Sequence, residues 1–396
     1  MLKIGVLNCF QIKNYGSVLQ SYAMEKAIQN LGYNAVSIYY NKDRGLKQYM
    51  EYLPQLMIKE VVLMKYKGVH KKLYLKFKNK ELNKLILQRN LKFDKFVQNN
   101  FNCSSHYIGI DNLKKYADDF SAFVLGSDQV WHPINLGSHY YTMEWIPHNK
   151  YKITYAASFG VSYIPKIQQK ATCKYLSKIN SISVRENSGA LIVKQFTGKD
   201  VPVVLDPTLL LPKSHWDTIA RQPNMLDEKY IFCYFLGNNK FHREFAEKLK
   251  RQTGFKIITL PYMDEIVEED FDFGDYKLFD VGPSEFLGLI KNAEYICTDS
   301  FHGTIFSILY NKKFLTFSRH VNKSKGSTNS RIDTLLDSLC LTSRKMSDTE
   351  VKAEALSLIS DDIDYNLVEN KLKRLIEKST SYLKAQLSNV EAENGS

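Results

Sequence analysis

The sequence predicts an α/β protein of two Rossmann-like halves with parallel sheets facing a central cleft. Three observations carry that reading. The chain opens as strand, glycine-containing loop, helix and strand. Apolar runs then recur, each ending in polar residues at its carboxyl end. The length, 396 residues, exceeds what one ordinary core accommodates.

Residues 4–9 form the expected first strand. Asn14-Tyr15-Gly16-Ser17 is the loop, and 18–31 is the helix, with Val18, Leu19, Tyr22, Ala23, Ala27, Ile28 and Leu31 at helical spacing on its buried face. Gly32 stops it, and 35–39 is the second strand. Such a βαβ unit begins a doubly wound sheet. Strands are then expected at 122–125, ending in Gly126-Ser127-Asp128-Gln129-Val130-Trp131, and at 152–157, ending in Ser158-Phe159-Gly160. Two more fall at 181–184, ending in Arg185-Glu186, and at 201–205, ending in Asp206-Pro207-Thr208. The polar stretch 212–227 marks a crossover. A second series follows, with strands at 230–236, 256–260, 295–297 and 314–317 and a helix at 241–253. The expected domains are 1–212, carrying a basic helical insertion over about 42–98, and 228–345. Helices over 350–388 and a frayed tail over 389–396 close the chain.

A content of 44% hydrophobic and 13% aromatic residues is ample for packed cores and excludes global disorder. No apolar run reaches the roughly 20 residues of a membrane span. The N-terminus reads as a strand and not as a signal peptide. The six cysteines, Cys9, Cys103, Cys173, Cys233, Cys297 and Cys340, show no close pairing of the zinc or redox kind. A reducing, cytoplasmic setting without disulfides is expected.

The net charge of +12 is concentrated. Residues 42–95 hold fifteen Lys and Arg against five Asp and Glu, a local +10. The pattern is amphipathic and helical, and two solvated helices explain it. The functional alternative is a face that leans on an anionic membrane or an anionic lipid-linked substrate, which would make the protein peripheral on the inner face of the cell membrane. No nucleic-acid motif accompanies the charge, so nucleic acid is not an expected partner.

The most informative string is Thr298-Asp299-Ser300-Phe301-His302-Gly303-Thr304, between an apolar strand and a helical pattern. Open α/β sheets bind ligands at such carboxyl ends, and the following helix offers free N–H groups and partial positive charge to an anion. His302, as an imidazole in that turn, suits general acid or base work. Arg185, directly after a strand, could grip a carboxylate or phosphate, or pair with Glu186 or Asp206. Asp128 could act as a base or hold a sugar hydroxyl, or merely close an Asx-turn. The acids at 264, 265, 268–270 and 272 read as a solvated loop and not a metal site, and no metal or cofactor is expected.

These strings together resemble the polysaccharide pyruvyl transferase family. The resemblance covers residues from about 4 to 341. It rests on Asn14-Tyr15-Gly16-Ser17-Val18-Leu19-Gln20, Gly126-Ser127-Asp128-Gln129-Val130-Trp131, Ala157-Ser158-Phe159-Gly160 and Ser183-Val184-Arg185-Glu186, and continues through Asp206-Pro207-Thr208-Leu209-Leu210, Gly282-Pro283-Ser284-Glu285-Phe286 and the turn at His302. It implies a GT-B-like fold, phosphoenolpyruvate as donor and substrate, and a saccharide acceptor, lipid-linked in capsule or exopolysaccharide biosynthesis. The product would be a cyclic pyruvate ketal, often across positions 4 and 6 of a hexose. It assigns His302 and Asp128 to catalysis, and Arg185, Ser300, Phe301, Gly303 and Thr304 to donor binding. Asn14, Tyr15, Gly16, Ser17, Gln129, Trp131 and Ser158 fall on the acceptor side or in the cleft. Many relatives carry arginine where this chain has Ser300, so Arg319 or Arg331 is expected to supply the missing cation. A nucleotide-sugar glycosyltransferase and a non-catalytic member of the fold are the competing readings.

Overall fold

The structure, a computed structural model, describes residues 1–42, 66, 68, 79–223, 228–263, 267–319, 330–346 and 353–395. Most of the basic stretch 42–78 lies outside the described residues. The chain divides into two compact units, 1–62 with 100–211 and 372–396, and 63–99 with 212–371. None of the described helices is long and apolar enough to cross a membrane.

The first unit holds β1 (Lys3–Leu7), α1 (Tyr15–Asn30), β2 (Asn34–Ser37), β3 (Tyr40–Asn41), β4 (Tyr107–Ile108), β5 (Ala122–Leu125) and β6 (Tyr151–Thr154). The sheet order is β2-β1-β5-β6, all parallel, with Ile4 against Ala122 and Val6 against Val124. β3 and β4 form a separate parallel pair. Nearly every residue of the main strands is buried, as a sheet covered on both faces requires. Beyond β6 the sheet continues only as single bridges, Ile153 with Ser181, Ala157 with Val184 and Val184 with Val203. The strands expected at 181–184 and 201–205 are therefore not regular strands. Ser183 and Thr154 trade side-chain hydrogen bonds with each other's backbone carbonyls, and Pro202 has no N–H to give a ladder.

Asn14 caps α1 by accepting the Ser17 N–H at 3.2 Å. α1 is buried almost throughout, including Gln20, Ser21 and Glu25. Two more helices, α3 (Lys166–Leu176) and α4 (Asn187–Thr197), pack on the same unit, and α2 (Lys80–Asn100) precedes them in the chain. The final helix, α8 (Tyr365–Gly395), ends against the first unit. Its Leu383, Leu387 and Val390 are fully buried with Ile4, Val6, Met24 and Ile28. The tail expected to fray from 389 is thus helical through Gly395, because Leu383, Leu387 and Val390 at spacings of four and three line one helix face.

The second unit holds β7 (Tyr230–Tyr234), α5 (Lys240–Thr253), β8 (Lys256–Thr259), β9 (Tyr276–Lys277), α6 (Pro283–Asn292), β10 (Tyr295–Thr298), α7 (Phe301–Leu309), β11 (Lys313–Phe317) and β12 (Lys345–Met346). Its sheet is β12-β11-β10-β7-β8-β9, again all parallel. Most of α2 also belongs here: Lys92 pairs with Asp280 at 3.4 Å and Glu285 at 3.2 Å. The end of the basic insertion therefore sits on the second unit and not on the first. The acidic stretch expected as a solvated loop carries a short helix, Glu269–Asp272. Asp270 is buried there, 2.5 Å from Arg243 Nη2, and accepts the Tyr262 N–H.

α6 crosses a neighbouring backbone closely. A Cβ on Gly288 would lie 2.0 Å from the Arg221 carbonyl oxygen, and backbone cannot swing aside as a side chain can. Gly288→Ala is expected to cost about 1–3 kcal/mol of stability by overpacking, read as a lower denaturant midpoint. Leu387→Ala should cost about 2–5 kcal/mol by the cavity it leaves, read the same way.

Candidate functional sites at the two switch points

In each sheet the chain winds one way from its first strand and then restarts on that strand's other side. The first sheet reverses between β1 and β5, and the second between β7 and β10. Ligands bind beyond the carboxyl ends of strands at such points. Both polar clusters that the sequence singles out lie there.

In the first unit the β5 end carries Ser127 and Asp128. Asp128 has φ of 84°, a region that non-glycine residues seldom adopt. Its carbonyl accepts from Ser158 N–H at 3.0 Å and Val130 N–H at 2.8 Å. Its carboxylate accepts from Ser17 Oγ at 2.5 Å and from the Gln129 N–H at 2.8 Å. Ser17 sits in the first turn of α1, so the helix N-terminus and Asp128 face the same spot. Arg185 is fully interior. Its Nη1 donates to Asp206 at 2.7 Å and Ser127 at 3.1 Å, and Nη2 stands 3.8 Å from Asp128 Oδ1. Of the two pairings read from sequence, the Asp206 one forms. Glu186 instead accepts from Ser158 Oγ and the Phe159 N–H, both at 3.0 Å. Gln129 packs so closely on Gly160 that a Cβ there would lie 2.0 Å from its Nε2.

The structure brings together Asn14, Ser17, Asp128, Gln129 and Arg185. Tyr15 and Gly16 lie buried in the first turn of α1. Trp131 and Ser158 are also interior. Trp131 packs at a tilt against Phe159 and Tyr175 and donates to the Tyr141 carbonyl, while Ser158 is wholly buried on Glu186. Sequence reasoning missed Cys9, whose thiol is held by Tyr141 Oη at 3.3 Å and pushed up by burial and by Asp128. Nothing in a scattered cysteine signals such a place.

In the second unit Asp299 ties the switch point together. Its carboxylate accepts from the Leu236 N–H at 2.7 Å and the Gly237 N–H at 2.9 Å, joining the β7 and β10 ends. Ser300 caps α7 by accepting the Gly303 N–H at 3.3 Å, and Thr298 Oγ1 accepts the Ser300 N–H at 3.1 Å. Gly303 is required: a Cβ would lie 2.6 Å from Thr298 Oγ1. Thr304 faces the interior, with its Oγ1 2.7 Å from Thr316 Oγ1. His302 lies in the first turn of α7, its ring 5.3 Å from that of Phe301.

Both candidate cations reach this turn. Arg319, just past β11, donates through Nη2 to the Asp299 carbonyl at 3.2 Å and keeps 23% of its side chain exposed. The Arg331 guanidinium lies over the Phe301 ring at 5.5 Å. Behind them stands His242, which sequence reasoning missed. Its Nδ1 is 3.9 Å from Asp299, and burial pushes its pKa down to about 4; Arg243 and Arg319 push the same way and Asp299 the other. Among the described residues no group of three or more metal-binding side chains occurs.

A model of the polysaccharide pyruvyl transferase family matches residues 14–321. That span contains Asp128 and His302. The chain belongs to the polysaccharide pyruvyl transferase family. A comparison with curated proteins found no match. Among solved structures, the UDP-N-acetylglucosamine 2-epimerase of Rickettsia bellii is 10% identical, with TM-score 0.51 over 97% of this chain and 98% of that one. A Listeria monocytogenes protein described as an enzyme of the same name is 8% identical, with TM-score 0.51 over 93% and 90%. These likenesses carry the fold alone: this pyruvyl transferase family member is α/β and GT-B-like, with two Rossmann-like units.

Two outcomes follow. Arg185→Ala should lose roughly 3–5 kcal/mol of stability, because Asp206 is left buried without its cation. For His242, the unfolded chain takes up a proton near 6.5 and the native state only near 4. Between these limits the unfolded state binds more protons, so stability falls as pH drops. His242→Gln should flatten that fall by roughly 3 kcal/mol, measured by urea denaturation across the window.

Proposed function

We propose that the protein is a ketal-forming pyruvyltransferase that uses phosphoenolpyruvate and a saccharide carrying two suitably spaced hydroxyls. The observation that carries this reading is the family match over residues 14–321, together with the cation-flanked helix N-terminus at His302. The donor bears a carboxylate and a phosphate. The partial positive charge at the start of α7, with Arg319 and Arg331 beside it, suits two such anions. Ser300 is no cation, and Arg319 is the partly exposed one at that turn.

In the proposed reaction the donor's methylene carbon takes a proton and becomes a methyl group, leaving C2 cationic. One sugar hydroxyl attacks C2 and loses its proton. Phosphate departs with its C–O bond electrons, and the second hydroxyl closes the ring and loses its proton. His302 is the proton donor or the group that holds the departing phosphate. Asp128, backed by Ser17 and Arg185, orients the acceptor hydroxyl or takes its proton. Arg185 is spent on Asp206 and Ser127, so its part is to hold Asp128 and not to grip the donor. The acceptor is a hexose of a lipid-linked precursor of capsule or exopolysaccharide, bridged at positions 4 and 6.

The test is incubation with phosphoenolpyruvate and galactose, mannose and N-acetylmannosamine glycolipids, read by mass for a gain of pyruvate less water. His302→Ala should lower turnover by about 10²–10⁴-fold with an unchanged melting temperature. Arg319→Ala should chiefly raise KM for phosphoenolpyruvate. Wild-type turnover in His302→Ala would remove that residue from the chemistry.

A further inference from the structure

We propose that α3 and α4 of the first unit form a docking face for an anionic lipid bilayer. The two helices are neighbours: Cys173 Sγ donates to the Phe196 carbonyl at 3.3 Å, and Tyr175, Leu176, Ile192 and Val193 share one core cluster. They also run the same way. Each returns the chain between segments that bridge in parallel, Ile153 with Ser181 and Val184 with Val203. Ile167, six residues before Cys173, and Leu191, five before Phe196, therefore stand level on adjacent helices.

Both aliphatic side chains are turned to solvent, Ile167 at 59% exposure and Leu191 at 68%, and Tyr163 just ahead of α3 is at 44%. Core packing accounts for none of them, since Gln168, Thr172, Ile192 and Val193 supply the inward faces. Around them the chain places six lysines, at 166, 170, 174, 178, 194 and 199. Two acids offset them: Glu144 meets Lys174 and Lys178, and Asp200 meets Lys194. The face therefore stays cationic.

Aliphatic side chains ringed by lysine match the boundary between lipid headgroups and acyl chains. A nucleic acid would satisfy the lysines and leave Ile167 and Leu191 in water. A second copy would set lysines against lysines. The face also leads away from the first switch point: Leu191 is five residues beyond Glu186, about 7 Å along α4 at its helical rise. A bilayer docked there would hold a lipid-linked acceptor beside Asp128, a consequence that rests on the proposed function. The docking itself does not.

The experiment is co-sedimentation of the full chain with vesicles of phosphatidylcholine alone or doped with phosphatidylglycerol. The protein should pellet with the anionic vesicles only, and less so at high salt. Ile167→Ser with Leu191→Ser should weaken binding by at least about tenfold, as should Lys170→Glu with Lys194→Glu. These positions are exposed, so the melting temperature should hold. Leu87→Ser with Leu91→Ser, at 55% and 59% exposure on α2, should bind as the wild type does. Indifference to phosphatidylglycerol overturns the proposal. So does unchanged binding by the α3–α4 variants, or loss of binding in the α2 variant. None of these readouts needs turnover, so failure here and failure of the pyruvyl-transfer reading are distinguishable.

Discussion

A parallel strand that ends in a loop leaves backbone N–H groups which neither the sheet nor the next helix satisfies. In both units a buried carboxylate from the neighbouring strand end takes them. Asp299 accepts from Leu236 and Gly237, and Glu186 accepts from Phe159 and Gly160. The net worth of one such bond is modest, about 1 kcal/mol, but an unmet buried N–H costs more. These carboxylates fix the loops that the candidate sites are made of. Everything said of Asp128, Ser300 and His302 depends on those loops holding their shape.

The same constraint explains why the arginines divide as they do. Arg185 and Arg243 are interior and each meets a buried aspartate, Asp206 and Asp270. A buried guanidinium with its partner in place is structural before it is anything else. Arg319 is different. It donates to the Asp299 carbonyl, stands 3.8 Å from the Asp299 carboxylate and stays partly open to solvent, which is the condition an incoming anion needs. His242, between Asp299 and two arginines, is kept neutral by burial and serves as packing behind the turn.

The helix order and strand ends were legible because both follow from short-range pattern. The apolar run at 122–125 and the glycine stop at Gly32 are local facts, whereas the loop expected at 14–17 is in the structure the Asn14 cap and first turn of α1. The stretches expected as strands at 181–184 and 201–205 keep some parallel backbone hydrogen bonds, Thr154 N–H to Ser181 and Val204 N–H to Val184 among them, but pair only as single bridges, a distinction that spacing does not carry. The end of the chain failed likewise. Its polar letters after 388 read as a loose tail, while Val390 extends the helix face of Leu383 and Leu387 in the core of the first unit. Asp270 looked like one more solvated acid until Arg243, from a helix 27 residues earlier, was seen to meet it.

The sequence by itself determined the class of fold, the positions of both polar turns and the family, since each is written in residues close together along the chain. Only the tertiary structure decided which of those polar groups are already spoken for. Arg185 and Asp206 are 21 residues apart, and Ser17 and Asp128 are 111 apart. Contacts of that range depend on how the sheet winds, and no local pattern encodes them.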